Sequence, residues 1–366
     1  MQDIRLNKHR SVKVQYLLTE LTRKIRSGEL RPGDYLPSAQ SLAKDYGVGY
    51  VSVIRVYKSL SEAGLVETVQ GRGAFVRGGR ATALQEIVVF LPSQLMLSDV
   101  GSAQSDWVFH QLLAGMNTAM LQRGLRMQLQ FVDVLGARWR EVLDGLPAGA
   151  GALFVMHAPA HYVLHLQRLG RPYALVLPAE IRDWERELPT AMADYRGGVR
   201  AAVTRLLKAG HVSIAFLGNV ENTHERPRYD GLCDALAEGK LGAPLLIPCK
   251  EISREAGRQA MEVYLAEQPR PQFDLLVAGN DWRALGAMEA LAAQGVRVPE
   301  DVAVLGFDDN PAATDAGLSS VRLPIRELGE KGVDWFVDAV VGWDGKTVPT
   351  FWLPCEAQWR RSTEGA

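Results

Sequence analysis

The chain has 366 residues, of which 47% are hydrophobic and 23% are charged, and its formal net charge is −1. This composition is typical of a globular protein, and the length predicts roughly two to three compact units. No apolar run approaches the ~20 residues of a membrane-spanning helix. The charged N-terminus lacks the apolar core of a signal peptide, so we expect a cytoplasmic protein without a membrane partner. The isolated cysteines Cys233, Cys249 and Cys355 predict neither disulfides nor a zinc site.

The charge is distributed unevenly along the chain. Residues 1–80 contain 14 Lys and Arg against 7 Asp and Glu, a net charge of +7. The remaining residues contain 27 against 35, a net charge of −8. A small basic module followed by a larger acidic one predicts a polyanion as partner of the first and a small molecule as partner of the second.

Residues 1–77 have the pattern of three helices followed by a β-hairpin. Apolar residues at spacings of three and four predict the first helix, and Ser38 is placed to cap a short second helix. A third helix is predicted from about 50 to 63, and two short strands follow at 65–69 and 74–76. This order predicts a winged helix-turn-helix, whose third helix enters the DNA major groove and whose hairpin, the wing, contacts the backbone or minor groove.

Several polar side chains of this module are candidates for DNA contacts. Arg55 and Lys58 lie off the apolar stripe of the third helix, and Arg72 stands between glycines that let the wing tip approach a phosphate. The segments RPGDYLPSAQSLAKDYGV and VIRVYKSLSEAGLVETVQGRGAFV resemble the GntR family of bacterial regulators. The resemblance covers residues 10–76 and implies DNA-facing positions at Ser38, Gln40, Ser52, Arg55, Arg72 and Gly73.

The chain departs from the GntR pattern at two places. Gln40 stands where the family usually has Arg, and Gly49-Tyr50 stands where it usually has Ser-Arg. Gln40 can still pair with adenine, and the Tyr50 hydroxyl can donate to a phosphate. The departures therefore concern the operator sequence more than DNA binding itself. The alternative interpretation of the basic residues is an ordinary solvated face.

After a short linker at 78–85, the pattern changes to alternating strands and helices. The predicted strands are 87–91, 126–132, 152–156, 173–177, 214–217, 245–248, 275–278 and 302–307. Continuous apolar strands separated by helices predict parallel sheets covered on both faces, arranged as two doubly wound lobes. Ligands of such sheets bind beyond the carboxyl ends of the strands, so the two lobes would share a cleft.

This second part resembles the LacI family of sugar-responsive repressors, whose cores look like periplasmic ribose-binding proteins. The matching runs are ADYRGGVRAAVTRLLKAGHVSIAFLGN, RPRYDGLCDAL and LLVAGNDWRALGAMEALAAQGVRVPEDVAVLGFDDNPAATDAGLSSVRLPIRELGEKGVDWFV. The resemblance spans about 86–358. It implies two lobes that close on a small ligand and are joined by three crossings, near residues 190, 323 and 350.

The resemblance also implies effector-binding positions at Ser93, Asp106, Trp107, Arg228, Asn280 and Asp308. Carboxylate and amide groups bind vicinal hydroxyls, and an arginine holds two oxygens at once in a planar fork. Trp107 and Trp282 each offer a flat face to the apolar side of a sugar ring. The alternatives are core packing for Trp282 and helix capping for Asp106 and Asp281.

No enzyme motif is present, because the sequence lacks GxSxG, HExxH and the phosphate-binding loop. His157, His161 and His165 recur every four residues, but His157 ends a predicted strand and Pro159 interrupts the spacing. We therefore expect no catalytic activity, no metal and no cofactor.

These observations together predict an α/β transcription regulator of the repressor type. A winged helix-turn-helix at 1–77 would bind a double-stranded DNA operator. A two-lobed, periplasmic-binding-protein-like unit at 86–366 would bind a small carbohydrate effector and form a homodimer. A GntR-type head on a LacI-type core resembles arabinose-repressor-like proteins. The alternatives are a nucleobase or nucleoside effector on the same fold, and a sugar-binding sensor that has lost specific DNA recognition.

Overall fold

The computed structural model describes residues 3–26, 29–30, 34–62, 65–69, 73–76, 84–92, 103–132, 136–147, 149–178, 183–341, 343 and 347–364. They form a small helical module with a two-stranded hairpin, followed by two six-stranded sheets with their helices. Within these ranges, no helix combines the length and the apolarity needed to cross a membrane.

The N-terminal module contains the three helices and the hairpin that the sequence predicts. Its elements are α1 (Asp3–Arg26), α2 (Ala39–Asp45), α3 (Tyr50–Glu62), β1 (Val66–Val69) and β2 (Gly73–Val76). The two strands are antiparallel, with Val66 opposite Val76. The core of the module comes from apolar residues of α1 and α3 that face each other, including Leu17, Leu21 and Val53. The linker predicted at 78–85 lies mostly outside the described residues.

Two local contacts fix the position of α2 and α3. The Ser38 hydroxyl accepts a hydrogen bond of 3.1 Å from the Ser41 amide and caps α2, as predicted. The Tyr57 hydroxyl of α3 donates to the carbonyl of Pro37 and so ties α3 to the turn before α2. Burial raises the pKa of Tyr57 to about 12.

Lobe 1 begins with five parallel strands and the helices between them. In chain order its elements are β3 (Glu86–Leu91), α4 (Ala103–Gln122), β4 (Arg126–Phe131), the 3-10 turn Gly136–Arg138, α5 (Trp139–Asp144), β5 (Ala150–Val155), α6 (Ala160–Arg168), β6 (Tyr173–Val176), the 3-10 turn Asp183–Glu187 and β7 (Thr190–Asp194). The central strands are buried on both faces, which explains their continuous apolar sequences.

Lobe 2 has the same architecture. Its elements are α7 (Tyr195–Ala209), β8 (Ile214–Gly218), α8 (Arg226–Glu238), β9 (Leu245–Pro248), α9 (Arg254–Glu267), β10 (Leu275–Ala278), α10 (Asp281–Ala293), β11 (Ala303–Asp308), α11 (Pro311–Ala316) and β12 (Ser319–Arg322). The chain then returns to lobe 1 with α12 (Ile325–Trp335), the π-helical turn Phe336–Val340 and β13 (Thr350–Pro354). It enters lobe 2 a last time with β14 (Glu356–Gln358).

The strand order explains the number of crossings between the lobes. Sheet 1 has the order β13-β7-β6-β5-β3-β4, and sheet 2 has the order β14-β12-β11-β10-β8-β9. The chain therefore crosses after β7, after β12 and after β13, which are the regions predicted near 190, 323 and 350. These three segments form the hinge.

Two predictions about the sheets need correction. The sequence predicts about eight strands in this part of the chain, and the described residues form twelve. The additional strands are β7, β12, β13 and β14, which border the hinge and are short, with sequences such as TAMAD and SSVR that lack an apolar run. Sheet 2 is also mixed, because β14 pairs antiparallel with β12, with Ser320 opposite Gln358.

The return of the chain to lobe 1 depends on a close helix–helix contact. A Cβ atom added to Gly115 of α4 would lie 2.0 Å from the backbone oxygen of Arg326 on α12. A Cβ atom added to Gly329 of α12 would lie 2.2 Å from the backbone oxygen of Leu112. Only glycine permits this approach, so α12 is anchored to lobe 1 although it follows a strand of lobe 2.

Candidate functional sites

The α3 helix has one buried face and one exposed face. Its buried residues are Val53, Val56, Tyr57 and Leu60. The opposite face exposes Val51, Ile54, Arg55 and Lys58, whose spacings of three and four place them side by side on a helix. The structure thus places Arg55 and Lys58 outward, as predicted. Val51 and Ile54 were not predicted as functional, because the sequence alone does not show which apolar residues stay exposed.

The other predicted DNA-binding residues that the structure describes lie at α2, in the first turn of α3 and at the start of β2. Ser38 caps α2, Gln40 is exposed in its first turn, and Tyr50 opens α3 with 53% of its surface exposed. Ser52 is half-buried, and Gly73 begins β2 with a φ of +94° in open space. Arg72 lies outside the described residues.

Arg228 is the central residue of the lobe 2 end of the cleft. It lies on α8, is 8% exposed, and its guanidinium stacks 3.9 Å from the centre of the Phe307 ring. It donates to the Gly279 carbonyl at 2.5 Å and to the Asp308 carboxylate at 3.4 Å. Its Nε is buried and makes no hydrogen bond with the described residues. A buried cationic donor without a partner is costly, so this atom points to a polar ligand group.

Asp308 ends β11 in an unusual backbone conformation. Asp308 has a φ of +108° and Asp309 a φ of +58°, both in the region that favours glycine. The turn is held by Ser320, whose hydroxyl accepts from the Asp309 amide at 3.0 Å, and by Arg360, which pairs with the Asp309 carboxylate at 2.7 Å. Such strain persists only where the surroundings enforce it, and here it aims the Asp308 carboxylate at Arg228.

Asn280 caps α10, a role that the sequence suggested for Asp281. Asn280 is buried and caps α10, because its side-chain oxygen accepts from the Arg283 amide at 3.0 Å. Asp281 is therefore not the cap. Its carboxylate accepts from the Asn310 amide at 2.8 Å and from the Ser320 hydroxyl at 2.6 Å, linking α10 to β12. Burial and the nearby Asp308 carboxylate raise the pKa of Asp281 well above its usual value.

The two predicted tryptophans pack against the hydrophobic cores of the lobes. Trp282 packs against the core of lobe 2, with its indole nitrogen buried, which favours the alternative of core packing. Trp107 is half-buried against the core that runs through lobe 1. Asp106 lies within α4, which begins at Ala103, so it does not cap that helix as the sequence suggested. Its side chain and all of Ser93 lie outside the described residues.

Sequence reasoning missed a half-buried histidine near Arg228, His224. Burial and the Arg228 guanidinium lower the pKa of His224 to about 4. The next residue, Glu225, forms an ion pair of 2.7 Å with Arg283, and both side chains are almost fully buried. Arg283 also donates to the carbonyls of Glu251 and Lys250. The sequence signal was the dense polar run ENTHERPR, which ends in the first turn of α8 and has no apolar period.

A cavity of about 720 Å³ opens between the lobes, and its lining includes Arg226 and Pro227, the chain neighbours of Arg228, but none of the predicted effector residues that the structure describes. Lobe 1 contributes Pro178, Met192 and Trp352, and lobe 2 contributes residues of the β8–α8 loop and the first turn of α8, including Thr223. Tyr195 lines the cavity, and its ring also faces the Arg228 guanidinium at 5.3 Å. This volume lies within the range of about 300–1,000 Å³ typical of small-molecule pockets.

The repeated histidines do not form a metal site among the described residues. His157 follows β5, whereas His161 and His165 lie on α6, which begins after Pro159. His165 contacts the Asp144 carboxylate at 2.7 Å, and His161 packs edge-on against Trp139. Across the described part of the chain, no group of His, Cys, Asp and Glu is arranged to hold a metal.

A winged module with an exposed basic helix face and a two-lobed unit with a polar cleft define a DNA-binding regulator that responds to a small ligand. Residues 14–76 match the family model of bacterial regulatory proteins of the gntR family, and residues 203–363 match the periplasmic binding protein-like domain. The chain is 30% identical over 246 residues to the HTH-type transcriptional regulator CelR of Thermobifida fusca, covering 63% of this chain and 69% of CelR.

Two further similarities extend over most of the chain. The arabinose metabolism transcriptional repressor of Geobacillus stearothermophilus is 23% identical over 337 residues, covering 88% of this chain and 90% of the repressor. The solved cellobiose complex of the regulator CelR has the same fold, with a TM-score of 0.60 and 22% identity, covering 89% of this chain and 100% of that one. The chain belongs to the LacI-type family of transcription regulators and carries a gntR-type N-terminal domain.

Proposed function

We propose that the chain is a cytoplasmic repressor whose operator affinity is controlled by a small sugar. Residues 1–77 would bind the operator, 78–85 would link the two parts, and 86–366 would bind the effector and form the dimer. In the DNA-binding part, Ser38, Gln40, Tyr50, Ser52, Arg55, Lys58, Arg72 and Gly73 would contact the duplex. We propose no catalytic role for any residue.

The observation that carries the effector assignment is the buried Arg228. Its guanidinium lies at the carboxyl ends of the lobe 2 strands, stacked on Phe307, with Nε lacking a partner among the described residues. Asp308 lies beside it as an acceptor, and Asn280 directly follows Gly279, whose carbonyl accepts from Arg228. A fixed donor fork beside a carboxylate is suited to the vicinal hydroxyls of a sugar ring.

The cleft links effector binding to the DNA-binding module through the hinge. A ligand that contacts Arg228 and Asp308 on lobe 2 and Met192 or Trp352 on lobe 1 is bound fully only when the lobes are closed. It therefore shifts the population toward the closed form. In a homodimer, this closure changes the spacing of the two winged modules and so their fit to the two half-sites of an operator.

A nucleobase is the less favourable effector. Flat bases are recognised by stacking on aromatic rings as well as by their polar edges. In this cleft one face of Phe307 is already covered by the Arg228 guanidinium, which also lies over Tyr195. The aromatic residues therefore support the arginine rather than offering a free stacking slot between them.

The test is a selection of operator fragments with and without sugars. The purified protein is mixed with sheared DNA of its source genome, bound fragments are recovered, and the selection is repeated with a panel of monosaccharides, disaccharides and nucleosides. We expect one or a few promoters to be enriched and lost with one sugar. Loss with a nucleoside only would replace the sugar assignment, and uniform recovery would contradict specific DNA recognition.

A further inference from the structure

The exposed face of α3 has an apolar N-terminal part, which is unusual for a surface that meets DNA. Val51 is 64% exposed and Ile54 is 43% exposed, and they stand on the face opposite the buried residues Val53 and Leu60. Arg55 and Lys58 lie on the same face, one and two turns further along the helix from Val51. The N-terminal part of this face therefore presents methyl groups, and the part that follows presents positive charge.

We infer that Val51 and Ile54 read the 5-methyl groups of thymines in the operator. In the major groove, thymine is the base that presents an apolar group, its C5-methyl. An apolar side chain in the groove strengthens binding when it covers a methyl group. It weakens binding when it covers a polar base edge with which it cannot form a hydrogen bond. Two branched side chains one turn apart can cover methyl groups on nearby base pairs.

The surrounding residues place these two side chains close to the DNA. Tyr50 begins α3 and Ser52 flanks the face, and both offer hydroxyls for phosphates at the groove edge. Gln40 is exposed at the start of the neighbouring helix α2. Phosphate contacts fix the register of the helix, and the residues between them then determine which bases fit.

The inference rests on the proposed placement of α3 in the major groove, and the experiment separates the two. The probe is a duplex carrying the operator recovered from genomic selection, in which single thymines are replaced by uracil. Uracil pairs as thymine does and lacks only the methyl group. Affinities are measured by fluorescence anisotropy for the full-length wild type and for Val51→Ala, Ile54→Ala, Arg55→Ala and Ser59→Ala.

We expect uracil at one or more half-site positions to weaken binding of the wild type by about fourfold, the effect of one buried methyl group. Ile54→Ala or Val51→Ala should bind the thymine operator more weakly and should no longer distinguish it from the uracil operator. Ser59→Ala, an exposed polar substitution on the same helix that leaves both apolar side chains in place, should keep the full discrimination. Because all these side chains are exposed or half-exposed, the variants are expected to fold.

Several results would overturn the inference. These are an operator without thymine in its half-sites, a wild type that binds uracil and thymine equally at every position, or a thymine preference that persists in both alanine variants. A change in oligomeric state of Val51→Ala or Ile54→Ala, with the thymine preference intact, would assign the apolar pair to a protein contact instead. If Arg55→Ala also leaves DNA affinity unchanged, the placement of α3 itself is wrong; if it weakens binding, only the methyl readout fails.

Discussion

The two ends of this molecule hold their polar residues in opposite ways. In the winged module, Gln40, Tyr50 and Arg55 are exposed and stand on a helix scaffold whose core they do not enter. In lobe 2, Arg228, Asp308 and Arg283 are buried, and each is bonded to another element of the same lobe. Substitutions on the exposed surface of the winged module can therefore change DNA specificity without affecting the fold. Substitutions among the buried polar residues of lobe 2 also change the stability of the protein.

The largest effect is expected from the buried ion pair of lobe 2. Arg283→Met removes the partner of the Glu225 carboxylate and should lower the free energy of unfolding by about 3–5 kcal/mol, because a buried charge is left unpaired. Urea denaturation measures this. In the double variant with Glu225→Leu, both charges are gone, and much of the stability should return. A double variant no more stable than the single one would show that packing rather than charge governs the site.

Removing the carboxylate of the effector turn should separate ligand response from DNA binding. Asp308→Ala leaves Arg228 with one fewer acceptor and should weaken effector binding by about 2–5 kcal/mol, which abolishes the response. Operator affinity without effector should stay close to that of the wild type. Calorimetric titration with the identified sugar and anisotropy with the operator give both numbers, and an unchanged sugar affinity would remove Asp308 from the site.

The winged module should show the converse behaviour. Arg55→Ala should weaken operator binding by about 1–3 kcal/mol and reduce the salt dependence if Arg55 contacts a phosphate. The free energy of unfolding should not change, since the side chain is exposed. Anisotropy at several salt concentrations tests the first statement and urea denaturation the second. A loss of effector binding in this variant would contradict independent parts.

The smallest effect concerns pH. The pKa of His224 is lowered to about 4 in the folded chain by burial and by Arg228, and it is about 6.5 in the unfolded chain. The unfolded state therefore binds more protons between these values. The resulting stability is complete well above pH 6.5 and declines as the pH falls, by about 1–2 kcal/mol between pH 7 and pH 5. In His224→Gln this part of the decline should disappear when urea midpoints are compared at pH 7 and 5.

The sequence predicted the regions where a single pattern dominates. Continuous apolar runs identified β3, β5, β10 and β11, and the GFDD segment led to Asp308. The hinge strands β7 and β12 were missed because their sequences, TAMAD and SSVR, lack a long apolar run, and β13 was missed because its apolar residues lie between Pro349 and Pro354. The Glu225–Arg283 pair could not be predicted, since its partners are far apart in the chain and meet only when α8 and α10 pack in lobe 2.

The exposed face of α3 also could be predicted only in part from the sequence. Arg55 and Lys58 stood out because charge is visible in a sequence. The exposure of Val51 and Ile54 depends on the exact rotation of α3 against α1 and β1, which the apolar pattern does not define when valine and isoleucine occupy both faces of the helix.

Arg228, Asn280 and Asp308 are held by bonds within lobe 2, so half of the cleft is complete before any ligand arrives. We expect a ligand to dock first on this rigid half and to be enclosed afterwards by movement about the three crossings. The rate at which operator affinity begins to change would then depend on the ligand concentration. The rate at which it returns would depend on the slower reopening of the lobes. After a brief exposure to the effector, the change in operator affinity would outlast the exposure. The rate of opening about the hinge would set how long it lasts.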